Sequence, residues 1–339
     1  MNLDMFNFDL PQDLIAQTAI QHRDRSKLMV VDRNASTIKH KRFNEIGNFL
    51  DRNTVLVLND SKVFNARIIG EKHTKAQIEI FLITQLDHCN WQCLIKPLKR
   101  ISQGDILKFS AHLTGKIIKK DTFSTIKFDF KGHFFDILDD IGLPPLPPYI
   151  KPDNPKSFEA SYQTTYAKNR GSIAAPTAGL HFSKTLLSNL KMSGVITEMI
   201  TLHVGYGTFQ PIRSQSISDH EMHSETFHIP KATADRLLRY KKEGKKIISV
   251  GTTSTRALET AYINPNTLLH GSHSSNLFIF PGYSFNFIDG MITNFHLPKS
   301  SLFMLVCALS STSLMKTAYE TAINHRYRFY SLGDAMLIL

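Results

Sequence analysis

FNEIGNFLDRNTVLVLN, residues 43–59, holds the two elements from which the fold is read. FNEIGNFLDRN carries apolar residues at helical spacing, and TVLVLN is the continuous apolar run of a strand buried on both faces. Helix followed by buried strand is the rhythm of an α/β sheet. The pattern then changes. From Arg67 to about Asp136 the segments QIEIFLI, WQCLIKPL, DILKFS, GKIIKK and STIKFDF follow one another with polar or glycine breaks and no helical stretch. That spacing predicts a small antiparallel barrel or sandwich. GLPPLPPYIKPDNP, residues 142–155, is a proline-rich connector that continues neither element.

Beyond it the alternation returns. VITEMITLHV reads as a buried strand, TADRLLRYKKEG as a helix with Thr233 as cap and Gly244 as stop, and KKIISV as a strand. GTTSTR is a loop into the helix RALETAYI; MITNF is strand-like, HLPKSS a loop and SLFMLVCALSS a buried helix. The first ~65 residues share this style, because a lone edge does not stand by itself. The expectation is α/β: a layered α/β/α domain of residues 1–65 and 147–339, interrupted by an inserted small antiparallel β-barrel domain of residues 66–146.

The 339 residues, 42% hydrophobic and 20% charged, suit about two globular domains and exclude a disordered or fibrous chain. The apolar run LFMLVCAL, 302–309, is far shorter than a bilayer span, and MNLDMFNFDLPQD lacks a basic segment followed by an apolar one. A cytoplasmic protein away from membranes is expected. Cys89, Cys93 and Cys307 complete neither a disulfide set nor a zinc site. Forty basic residues against twenty-nine acidic ones give +11, an excess that attracts a polyanion, of which nucleic acid is the usual one.

Several loops crowd polar groups where strands end and helices begin, the edge at which α/β domains gather ligands. GSIAAPTAGLHF, 171–182, puts small residues before His181 and reads either as a wall for a closely approaching ligand or as a tight turn before the helix SKTLLSNLKMSG, which Gly194 stops. In GTTSTR, 251–256, backbone N–H groups, hydroxyls and Arg256 suit a carboxylate or phosphate; helix capping by Thr252, Thr253 or Ser254 is the alternative. TLHVGYGTFQP, 201–211, sets His203 beside two glycines and two aromatics, in the manner of a packed histidine or of a catalyst. TNFHLPKSS, 293–301, brings Asn294, His296, Lys299 and Ser300 into one loop, and LVLNDSKVFNAR, 56–67, puts Asn59 and Asp60 at a strand end with Arg67 beyond. HEMHSE, 220–225, has His220, His223 and Glu225 close together, but not in the His-Glu-x-x-His spacing of zincins. A basic loop serving RNA fits the net charge better.

FDLPQDLIAQ (8–17), RDRSKLMVVDR (23–33), LVLNDSKVFNAR, LPPYI, YQTTYA (162–167), GSIAAPTAGLHF, TLHVGYGTFQP, HEMHSE, VGTTSTRALE, PGYSF, ITNFHLPKSSLFMLV and YRFYSLGDAMLI together resemble the S-adenosylmethionine:tRNA ribosyltransferase-isomerase family of queuosine biosynthesis, in family order along the whole chain. EKHTKAQIEIFL departs from the family in lacking its glycine-bearing turn, and KPDNPKSFEAS is individual. The resemblance implies the α/β domain with inserted barrel. It also implies transfer and isomerisation of the ribosyl moiety of S-adenosylmethionine onto 7-aminomethyl-7-deazaguanine at the wobble position of a tRNA anticodon. Epoxyqueuosine forms, and adenine and methionine leave. S-adenosylmethionine is then a consumed substrate, and neither metal nor resident cofactor is expected; the chain is taken as a monomer.

On that reading His203 or His296 removes a proton from the 5′ carbon beside the sulfonium, as suits a neutral imidazole near pH 7, with Asp60 as orienter or alternative. Phe182, Phe209 or Phe295 offer aromatic faces to the sulfonium. Thr177, Gly179, His181, Gly205, Thr252, Thr253, Ser254, Arg256, Asn294, Lys299 and Ser300 complete the substrate-binding set, and Arg67, His220, His223 and Glu225 the RNA-binding one. The anticodon base is splayed from its loop to be modified, and Lys299 and Arg256 also guide phosphates. The rivals are a non-catalytic tRNA-binding module and a metal-dependent hydrolase built on His220, His223 and Glu225.

Overall fold

TVLVLN forms the strand Thr54–Asn59, buried at every position, and it lies near the middle of a nine-stranded mixed sheet. The computed structural model describes residues 1–150, 154–209, 217, 220 and 222–339, without the side chains of Thr208 and Phe209. These residues fall into two compact units, one of residues 1–61, 161–169 and 175–339, the other of 62–160 and 170–174.

In the first unit, Ile196–Leu202, Thr54–Asn59, Lys246–Val250 and Gly290–Asn294 run side by side and parallel, with Ile200 opposite Asn59, Ser249 opposite Val57 and Ile292 opposite Val250. Both faces are covered, which is why these strands read as unbroken apolar runs rather than as alternation. Leu56, Leu58, Ile248, Val250 and Ile292 pack with Leu186 and Leu190 of the helix Lys184–Met192 and with Phe43 and Ile46. On the alternate positions, Ser249 and Met291 meet Thr255 of the helix Gly251–Ala261. Burying one such aliphatic side chain contributes about 1.5–3 kcal/mol, so the two layers carry most of the driving force.

The second unit holds a closed six-stranded antiparallel barrel of Arg67–Glu71, Gln77–Gln85, Asn90–Lys96, Ile106–Lys108, Leu113–Lys119 and Ser124–Phe130. Ile78, Ile80 and Leu82 alternate inward, Ile80 lying between Ile68 and Ile95 of the neighbouring strands. The fold is thus α/β with a β-barrel, as read. Arg67–Glu71 closes the barrel, and the helix Phe134–Ile141 follows it; neither stood out in the sequence. In the turn before Gln77–Gln85, Lys75 adopts φ +66°, a conformation that favours glycine.

Four local expectations are corrected. FNEIGNF winds as a 3-10 helix, Phe43–Phe49, with Phe43 and Ile46 turned inward. GTTSTR is no loop: the α-helix already starts at Gly251, whose φ of +89° lets the chain turn straight out of the strand. Thr233 does not cap its helix, which begins after Pro230; it is buried and accepts from Arg236 Nη2 at 3.2 Å. Thr252, Thr253 and Ser254 do not cap either, and Ser254 Oγ donates back to Val250 O at 2.9 Å. Among the described residues no helix is long and apolar enough to cross a membrane.

Candidate active site

The parallel strands end together, and their last residues are those that the loops advertise. Asn59 ties two of the ends: its Nδ2 donates to Leu202 O at 2.9 Å, and its Oδ1 accepts from Leu202 N at 3.0 Å. Asp60 follows, 8% exposed. Its Oδ1 accepts from Thr201 Oγ1 at 2.6 Å, and both carboxylate oxygens lie 3.1 Å from Asn169 Nδ2. A carboxylate so held has one orientation.

His203 continues the neighbouring strand and is half-buried, with its backbone N–H on Thr226 O at 3.0 Å. Burial lowers its pKa below the ordinary 6.5, while the charge of Asp60 opposes that shift. The imidazole is neutral at pH 7, and its buried Nδ1 has no hydrogen-bond partner among the described residues. Ser61 Oγ, Thr164 Oγ1 and the Tyr166 hydroxyl are buried and unpartnered in the same way. An unsatisfied buried polar group costs about 1–3 kcal/mol, which is why such groups are rare in folded proteins.

The small-residue stretch supplies the next wall. Thr177 Oγ1 donates to Asn294 Oδ1 at 2.8 Å, and Asn294 Nδ2 donates to His181 Nε2 at 3.1 Å. His181 Nδ1 then donates to Ser26 Oγ at 2.8 Å, and burial pushes its pKa down to about 4. The wall is built by close approach. A methyl on Gly179 would sit 2.0 Å from the Tyr166 hydroxyl, whereas one on Gly251 would meet Ala178 Cβ only in ordinary contact at 3.6 Å.

Other expected ligands are committed elsewhere. Arg256 is buried, donating from Nη1 to Glu225 Oε2 at 2.6 Å and from Nε to Leu277 O at 3.0 Å. Glu225 Oε1 also accepts from the Gly205 N–H at 3.0 Å, so neither charge is turned to RNA or to a small anion. That corrects both expectations: a charge pair this deep is retained only because each partner answers the other. Lys299 pairs with Asp4 at 2.7 Å, and Ser300 caps the helix Ser301–Leu309, its Oγ accepting from Phe303 N at 3.2 Å. Phe182 and Phe295 are fully buried, Phe182 edge-on to Phe43 and Phe295 against Tyr319 and Phe329, and present no free face to a sulfonium. The side chain of Phe209 lies outside the described residues.

His296 is buried with its Nε2 2.9 Å from Thr293 Oγ1, and burial lowers its pKa to about 3. It is a packed core histidine. His220 stands edge-on to Phe278, and His223 lies against Gly207; Glu221 of the same motif lies outside the described residues. In the second unit Arg67 is part-exposed, 3.8 Å from Glu79 and over the ring of Phe81. Among the described residues no three His, Cys, Asp or Glu side chains gather as a metal site. Asn169, Thr201, Thr164 and Tyr166 escaped the sequence reading. For the last two the hydroxyl-rich YQTTYA was a usable signal, whereas nothing local marks Asn169.

Comparison with known proteins agrees along the whole chain. Residues 3–338 match the family model described as queuosine biosynthesis protein. The chain is similar to the S-adenosylmethionine:tRNA ribosyltransferase-isomerases of Staphylococcus haemolyticus strain JCSC1435 and Staphylococcus aureus strain JH9, each 47% identical over 348 residues and covering 100% of both chains. It is also similar to the crystal structure of S-adenosylmethionine tRNA ribosyltransferase from Thermotoga maritima, with a TM-score of 0.56 at 33% identity over 99% of this chain and 100% of that one. With matches that run from end to end in both directions, the chain belongs to the queuosine biosynthesis protein family.

Proposed function

We propose that this protein transfers and isomerises the ribosyl moiety of S-adenosylmethionine onto 7-aminomethyl-7-deazaguanine at the wobble position of a tRNA anticodon, yielding epoxyqueuosine, adenine and methionine. The observation that carries it is the end-to-end match to relatives named for that activity. S-adenosylmethionine is consumed, and no resident cofactor or metal takes part.

His203 is the base that removes the 5′ proton. Support comes from its Nδ1, which has no hydrogen-bond partner among the described residues, its lowered pKa and the nearby charge of Asp60. Thr177, Gly179, His181 and Asn294 line the ribosyl-adenine side. The uncapped first turn of Gly251–Ala261, with Thr252 and Thr253, receives the methionine carboxylate. Residues 1–65 and 147–339 act as the catalytic domain; Arg67 of the segment 66–146 contributes to RNA binding, as do His220 and His223. The protein acts as a cytoplasmic monomer.

The direct test is to incubate the protein with S-adenosylmethionine and a tRNA carrying the deazaguanine precursor, then to follow adenine release and the digested RNA by mass spectrometry. Adenine and epoxyqueuosine, formed alike with and without chelator, are expected. Folded protein that binds the tRNA and releases neither product is instead a binding module, and loss of product on chelation means metal chemistry.

A further inference from the structure

We propose that Tyr166, with Thr164 beside it, forms the subsite for the ribosyl hydroxyls of S-adenosylmethionine, an assignment that rests on the reaction proposed above. Three observations converge. The hydroxyl of Tyr166 is pressed onto Gly179: a Cβ there would stand 2.0 Å from Tyr166 Oη and 3.0 Å from Thr164 Cγ2, so only glycine lets the phenol reach this position. Tyr166 Oη and Thr164 Oγ1 are buried without a hydrogen-bond partner among the described residues, and Thr164 as a whole is only 5% exposed. Burial and the nearby charge of Asp60 raise the phenol pKa, which keeps it a neutral O–H.

The chemistry of this group of atoms selects the ligand. A neutral phenol and a threonine hydroxyl each donate one hydrogen bond and accept others, as a sugar hydroxyl does. A phosphate or carboxylate in the same place meets the charge of Asp60, and His203 carries no compensating charge at pH 7. An apolar ligand leaves the hydroxyls orphaned. A ribosyl diol satisfies them, and it sets the 5′ carbon within the surroundings of His203, whose own unpartnered Nδ1 shares the neighbour Asp60.

The test is equilibrium binding of S-adenosylmethionine and of its 2′,3′-dideoxy analogue to the full chain, for wild type, Tyr166→Phe, Gly179→Ala and the double variant, with Tm and adenine release measured alongside. Tyr166→Phe is expected to bind S-adenosylmethionine about tenfold more weakly, to bind the analogue as wild type does, and to keep its Tm. Gly179→Ala is expected to lose both binding and stability. Adding Tyr166→Phe to it removes the clashing oxygen but leaves the 3.0 Å approaches to Thr164 Cγ2 and to the ring, so the double variant recovers part of the lost Tm without recovering affinity. Unchanged affinity of Tyr166→Phe in a background where wild type turns over overturns the subsite alone, as does a double variant with wild-type affinity. Wild type that binds no S-adenosylmethionine overturns both readings.

Discussion

Arg256 and Glu225 meet across 2.6 Å with side chains 6% and 4% exposed, and the same glutamate holds the Gly205 N–H. The pair links the helix Gly251–Ala261 to the loop that follows His203. Arg256→Ala leaves a buried carboxylate unanswered and is expected to cost about 3–5 kcal/mol in denaturant unfolding. A loss within surface-substitution range means that the pair is open to water.

On the proposed mechanism, with His203 as the base, turnover requires a neutral imidazole. Because burial lowers its pKa from 6.5, the acid limb of kcat/KM is expected to lie below pH 6.5, with activity falling as pH drops through the folded value. His203→Ala, with unchanged Tm, is expected to lose about 10²–10⁴-fold in kcat and that limb with it. A variant that keeps the wild-type profile removes His203 from the chemistry.

Acid weakens the fold through two other histidines. His181 and His296 are held neutral, with pKa values about 4 and about 3, whereas the unfolded chain binds their protons near 6.5. Between pH 6.5 and 4 the unfolded state therefore binds more protons. Stability falls with pH there, at up to about 1.4 kcal/mol per pH unit for each histidine. His296→Asn is expected to make the fall of Tm with pH shallower, and an identical slope contradicts the assignment.

Gly251 carries the turn from strand to helix at φ +89°, and the space beside it accommodates a methyl group, its nearest neighbours standing 3.5 and 3.6 Å away. Gly251→Ala is expected to cost about 1–2 kcal/mol from backbone strain alone, read as a lowered Tm. A larger loss points to steric collision instead.

Much of this was legible in the chain. The unbroken TVLVLN marked a strand covered on both faces, and alternation in QIEIFLI marked one covered on a single face, because burial imposes those periods on any sequence that folds. Helix stops at Gly194 and Gly244 and the strand-end positions of Asp60 and His203 followed from the same logic. Ser300 was legible too, since a serine before SLFML is a cap by its own local chemistry. Its place in a loop rich in polar groups suggests a ligand instead, but the cap is what the hydroxyl serves.

What local pattern cannot carry is the identity of a distant partner. Arg256 and Glu225 lie 31 residues apart, His181 and Asn294 113 apart, and Thr201 reaches Asp60 across 141. The order of segments, the apolar periods and the residue types at strand ends were determined by the sequence alone, since each depends on neighbours a few positions away. Which charge is cancelled, which histidine is sealed in the core and which hydroxyl is left unanswered were decided only when the sheet brought remote strands side by side. Desolvation and hydrogen bonding act through space, and one tertiary arrangement turned His296 into core while leaving the Nδ1 of His203 without a partner among the described residues.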